Sequence, residues 1–239
     1  AHLKNFRSKN MVSVAMIKSI TNRINSLQEM IYVLPVLLNY GVFSAELTKK
    51  LAVLDNINKL KFSNIDLIYY ISAYVKLYSK APGYNKIIFA GLKTIEELIE
   101  KTHSRFTFEE KCLLILQTKY LSSHNRNFFI MKPVLDDLGS IPQKWFAGVV
   151  NNLVNSCYFM MDKDSLMIEL IKRMDGFDHK DLVLIGKALC WLDIKDVDLW
   201  RNIFGRLNKM YKKVFLENIL WMCDLYQILY SLKMMDRNL

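Results

Sequence analysis

Apolar residues recur along the chain at helical spacing, and the pattern itself repeats. Five segments open on an apolar residue, at Phe62, Phe106, Ile141, Phe177 and Val214. Each continues with apolar positions at helical intervals for about four or five turns. Successive openings lie 44, 35, 36 and 37 residues apart, and a segment from Ile24 fits the same phase 38 residues before Phe62. The 44-residue step predicts a longer connection around Ala81, Pro82 and Gly83.

Four openings carry cap chemistry beside them: Ser63 with Asp66, Thr107 with Glu110, Ser140 with Gln143 and Asp178 with Asp181. A short polar side chain followed three residues later by an acid or amide can satisfy the free backbone N–H groups of a first turn. Shorter amphipathic helices are expected between these segments, beginning near Ala45, Lys86, Phe128, Ser165 and Leu199. Pro133 should make one of them start late or kink.

One helical hairpin cannot cover both of its apolar faces, whereas a stack of hairpins buries each against its neighbour. The expected fold is therefore all-α, a right-handed solenoid of about six stacked hairpins with a repeat of about 36 residues. Residues 18–239 form the array, behind a basic extension over residues 1–17.

Composition supports this reading. Apolar residues make up 52% of the 239, with eight Gly and four Pro. That is too apolar for disorder and too poor in turn-formers for a sheet-rich fold. Cys112, Cys157, Cys190 and Cys223 each lie in an apolar helical pattern with no C-x-x-C pairing, so buried reduced thiols are expected, with neither disulfides nor zinc. The strongest apolar stretch, residues 30–38, contains Pro35 and is about half the length of a membrane span. No secretory leader is visible. The chain starts at Ala1, as a processed form or a fragment would, and its opening is basic and free of acids up to Glu29.

Catalytic constellations are missing. The sequence holds no H-E-x-x-H, no phosphate-cradling glycine loop and no G-x-S-x-G. His2, His103, His124 and His179 are far apart and expected in exposed turns. Glu109 and Glu110 suit the first turn of a helix through its dipole. The expectation is a protein that is not an enzyme, with no cofactor, metal or small-molecule substrate. Tyr69, Tyr70, Tyr74 and Tyr78 form a stripe expected to pack between helices with hydroxyls at the edge, base stacking being the alternative.

Charge adds a functional hint. The net charge is +10, and residues 1–62 hold nine Lys/Arg against three acids. Basic residues recur just before the second helix of most hairpins: Lys18 and Arg23; Lys59 and Lys61; Lys101 and Arg105; Lys172 and Arg173; Lys209, Lys212 and Lys213. Asp136 and Asp137 interrupt the series. In a stack, one phase falls on one edge, so these residues would form a stripe able to follow a phosphate backbone. Helix C-termini also favour cations through the dipole, which places bases at this phase without any ligand.

Two segments carry a family resemblance: Phe62-Ser63-x-x-Asp66-Leu67-x-x-Tyr70 with Ala73, Tyr74 and Leu77, and Phe177-Asp178-x-x-Asp181-Leu182-x-x-Ile185 with Ala188, Leu189 and Leu192. Over roughly residues 20–235 the chain resembles the heptatricopeptide and octotricopeptide repeats of organellar RNA-associated proteins and the helical region of FAST-kinase-like proteins. The resemblance implies a mitochondrial location, with plastid as the alternative, and a role with organellar RNA. No RAP-type domain and no repeated pair of base-reading residues stand in these 239 residues, so the resemblance points to an architectural piece of an organellar ribosome. The expected partners are ribosomal RNA and neighbouring proteins of a large complex. A protein–protein scaffold without RNA contact is the alternative.

Overall fold

The computed structural model describes residues 19, 23, 26, 29–33, 62–80, 97–117, 128–157, 160–209, 228 and 230. Among these, most residues are helical and none lies in a strand. The named helices are α1 (Asn64–Lys80), α2 (Phe108–Gln117), α3 (Phe128–Leu135), α4 (Gln143–Cys157), α5 (Lys163–Arg173), α6 (His179–Trp191) and α7 (Val197–Lys209). No helix among the described residues is long and apolar enough to cross a membrane. The chain divides into two compact units, Ala1–Phe106 and Thr107–Leu239.

In the first unit, helical residues 29–33 bury Met30 and Ile31, and α1 buries Leu67, Ile68, Tyr70, Ile71 and Ala73. These positions in α1 are the inward face demanded by the helical period. The Tyr32 hydroxyl donates to Asp66 Oδ1 at 2.6 Å, and the Ser63 hydroxyl to Asp66 Oδ2 at 2.6 Å. Asp66, buried in the first turn of α1, thus ties residues 29–33 to that helix. The tyrosine stripe splits: Tyr70 is fully buried, whereas Tyr69 stays exposed against Tyr32, ring centroids 4.8 Å apart. The side chains of Tyr74 and Tyr78 lie outside the described residues.

In the second unit α4 packs between α2 and α6, while α3 lies on α2 and α7 on α6. The longer second helices of successive hairpins therefore stand side by side in chain order. Gly148 lets α4 approach α2 closely, since a Cβ there would sit 2.7 Å from Leu116 Cδ2. Asn152 of α4, buried, donates to the carbonyls of Ile115 at 3.1 Å and Leu116 at 3.4 Å, which joins α4 to α2 through side chain and backbone. The C-terminus of α6 closes with Asp193 at φ 52°, the Asp193 N–H donating to Cys190 O and the Ile194 N–H to Leu189 O, a Schellman closure.

The junction between a hairpin's two helices repeats in detail. Three-residue 3₁₀ turns at His103–Arg105, Leu138–Ser140 and Met174–Gly176 each lead into an extended apolar residue. Those residues, Phe106, Ile141 and Phe177, are buried, have φ/ψ of −78/129°, −64/126° and −82/133°, and each donates its N–H back to the first carbonyl of the turn. The apolar opening is thus a plug that ends one helix and aims the next.

The caps follow the sequence with one exception. Thr107 and Glu110 bond reciprocally, as do Asp178 and Asp181. Ser63 Oγ accepts from the Asp66 N–H. Ser26 and Glu29 form a further reciprocal box in the Ile24 segment. The expected Ser140–Gln143 cap does not form. Ser140 ends a 3₁₀ turn capped by Asp137, and Pro142 sets the entry to α4 instead. Pro133 lies inside α3, near its C-terminal end, so the helix does not wait for it. The long connection expected near residues 81–83 and the openings at Ile24 and Val214 lie outside the described residues.

Candidate nucleic-acid interface

Six of the eleven basic candidates are described. Arg23 is helical and exposed, Lys101 is exposed in the helical residues 97–102, and Lys209 is exposed at the end of α7. None of these three makes a hydrogen bond or ion pair with another described residue. Arg105 ends the first 3₁₀ turn, and Lys172 and Arg173 end α5. Lys18, Lys59, Lys61, Lys212 and Lys213 lie outside the described residues.

The two junction arginines have protein partners. Arg105 donates from Nη2 to the Phe62 carbonyl at 2.9 Å, and Asn64 Nδ2 returns a bond to the Arg105 carbonyl at 2.8 Å. Arg173 donates from Nη1 to the Ile141 carbonyl at 2.7 Å, and Gln143 Nε2 returns a bond to the Arg173 carbonyl at 3.4 Å. The register is the same in both units. The opening residue accepts from the arginine of the next junction, and the amide two places after it donates back.

Arg173 also donates from Nη2 to the Gly139 carbonyl and from Nε to Glu169 Oε2 at 3.2 Å, with its guanidinium 4.5 Å from the centroid of the Phe146 ring. Arg206 repeats part of this one hairpin later, from Nη2 to the Asp175 carbonyl at 3.1 Å and from Nη1 to Asp175 Oδ1 at 2.7 Å. A planar fork suits two carbonyls at once, which a lysine cannot do. Two of the eight arginines in the sequence, Arg105 and Arg173, make this clasp, and Arg206 grips Asp175 instead of an opening residue. Arginine rather than lysine at those positions, with an amide two places after Phe62 and Ile141, was the signal in the sequence.

Lys172 stands on the exposed side of α5 and shares Glu169 with Arg173, at 2.7 Å. Lys172 first, and then Arg173, hold the Glu169 carboxyl below its ordinary range against the opposing effect of burial. His179 departs from expectation: it is buried in the first turn of α6, two places after Phe177, the register occupied by Asn64 and Gln143. His103 lies partly exposed, its Nδ1 2.8 Å from the Glu100 carbonyl oxygen.

Of the four thiols expected to be buried, Cys112 and Cys157 are, Cys190 near the end of α6 is only partly covered, and Cys223 lies outside the described residues. Burial, and secondarily the Glu109 charge, push Cys112 up to about 12, and burial pushes Cys157 up to about 11. Both should resist maleimide at pH 8 in the native protein and label fully in guanidinium, as read by peptide mapping. Their folded-state values lie above the ordinary 9.0. Their contribution to stability is therefore complete below pH 9 and lost as pH rises towards 11 and 12. Native labelling at the unfolded rate would contradict the packing.

Charge is distributed unevenly between the units. Residues 1–106 hold 15 Lys/Arg against seven acids, and residues 107–239 hold 18 against 16. No protein family and no curated protein matches the chain. No group of three or more His, Cys, Asp or Glu among the described residues is placed to hold a metal ion.

Proposed function

We propose that the chain is a structural, RNA-contacting helical-repeat component of a mitochondrial ribosome or a related organellar RNA particle, without catalytic activity. The charge asymmetry carries this reading: a net +8 in residues 1–106 includes Arg23 and Lys101, both exposed and held by no described partner. Cations of that kind release counterions from phosphates on binding. The junctions repeating at Phe106, Ile141 and Phe177 support a continued array, which we extend to about six hairpins in a right-handed solenoid. The organellar location rests on the repeat resemblance. Arg105 and Arg173 serve the array, and the phosphate contacts fall to Arg23, Lys101, Lys172 and Lys209 with the lysines at 18, 59, 61, 212 and 213.

The double reversal Arg23→Glu with Lys101→Glu should weaken binding to a generic single-stranded RNA by about tenfold at low salt, uniformly across sequences. Fluorescence anisotropy measures this, and an unchanged affinity would remove the basic edge from the account. A protein–protein scaffold is the second reading. It is favoured by Ile168, Ile171 and Trp191, which are 54%, 65% and 63% exposed in the nearly neutral unit. It predicts a partner complex that survives nuclease.

A further inference from the structure

The second unit contains a groove of about 510 Å³ between the turn at 136–140 and the first half of α5. Its apolar surface includes Met160 and Ile168, 36% and 54% exposed, and its charged lining is Asp136, Asp137, Asp162 and Glu169, with no Lys or Arg. Two of the carboxylates are neutralised from outside the groove. Lys132 Nζ lies 2.9 Å from Asp136, and Lys172 and Arg173 hold Glu169. The other two meet no cation among the described residues. Asp137 accepts from the Ser140 N–H, and Asp162 from the Asp164 N–H and the Ser165 hydroxyl. These cap bonds fix both carboxylates in place, with no described cation beside them.

A mixed cleft, apolar at Met160 and Ile168 and bordered by two fixed carboxylates that no described cation meets, on a protein that is basic overall, selects a cation attached to an apolar body. We propose that this groove docks a peptide segment of a partner protein bearing Arg or Lys beside an aliphatic side chain. The aliphatic group covers Met160 and Ile168, and the cation meets Asp137 and Asp162. A polyamine would satisfy the carboxylates but leave the apolar wall wet. Nucleic acid would meet two carboxylates that no described cation offsets. The groove is thus a protein-facing site, separate from the basic edge and independent of whether that edge binds RNA.

The test uses the full chain and a fluorescein-labelled nine-residue peptide of alternating Arg and Leu, followed by anisotropy. A matching peptide with Ser for Leu serves as control, and spermidine as competitor. Asn caps helices as well as Asp, so Asp137→Asn with Asp162→Asn removes charge and keeps the fold, checked by circular dichroism. The double variant, and separately Ile168→Ser, should each weaken the Arg–Leu peptide by about tenfold. RNA affinity should not change. Equal binding of the Ser-containing peptide, equal displacement by spermidine, or unchanged affinity in both variants would each overturn the proposal.

Discussion

Phe177→Ala is expected to lower the unfolding free energy by about 4 kcal/mol. Phe177 is 2% exposed, and its ring lies 5.9 Å from that of Phe146, which is fully buried. The substitution removes most of a large aromatic from the point where a 3₁₀ turn closes and α6 begins. The cavity cannot collapse, because the turn, the Asp178 cap and α4 hold its walls. Phe177→Leu keeps an apolar plug and should lose only about 1–1.5 kcal/mol. Urea unfolding followed at two wavelengths gives both values. A loss under about 1 kcal/mol for the alanine variant would mean that the plug does not organise the junction.

Arg173→Ala should destabilise by about 3 kcal/mol. The change leaves the carbonyls of Ile141 and Gly139 without their donor, frees Glu169 of one cation and uncovers the face of Phe146. The side chain is 14% exposed, so water replaces these bonds poorly. Arg173→Lys keeps the charge but loses the fork, and should recover less than half of the deficit. The conservative variant separates two roles at one residue. A clasp predicts lost stability with RNA affinity held within about twofold. A phosphate contact predicts the reverse, since lysine serves a phosphate well. The loss should depend on Phe146, so a double-mutant cycle between the two positions should show coupling on the order of 1 kcal/mol.

Acid should weaken the same contact. Glu169 is held below its ordinary range, so its contribution is complete above the usual carboxyl range and lost as pH falls through its own lowered value.

The helices and most of their caps were legible because period and cap chemistry are local. Thr107 with Glu110 and Asp178 with Asp181 need only residues three apart in sequence. The Ser140 cap failed because two neighbours decide its conformation: Asp137 claims the Ser140 N–H, and Pro142 fixes the backbone that follows. Tyr69 and Tyr70 look alike in a list of aromatics, and only the rotation of α1 separates the exposed ring from the buried one. Asn152 sits in an apolar run where periodicity cannot say which polar side chain meets a carbonyl of a neighbouring helix. The basic phase was visible as a pattern. Its division into clasping arginines and exposed cations required the carbonyls of residues 30 or more positions away.

The measurement closest to the central proposal is the affinity of the full chain for a generic single-stranded RNA across a salt series. The same series is run for the Arg23→Glu, Lys101→Glu variant. A basic edge predicts that log affinity falls linearly with log salt, with a slope shallower by about two units in the variant. Absence of binding at low salt, or an identical slope in the variant, would contradict RNA contact through this edge.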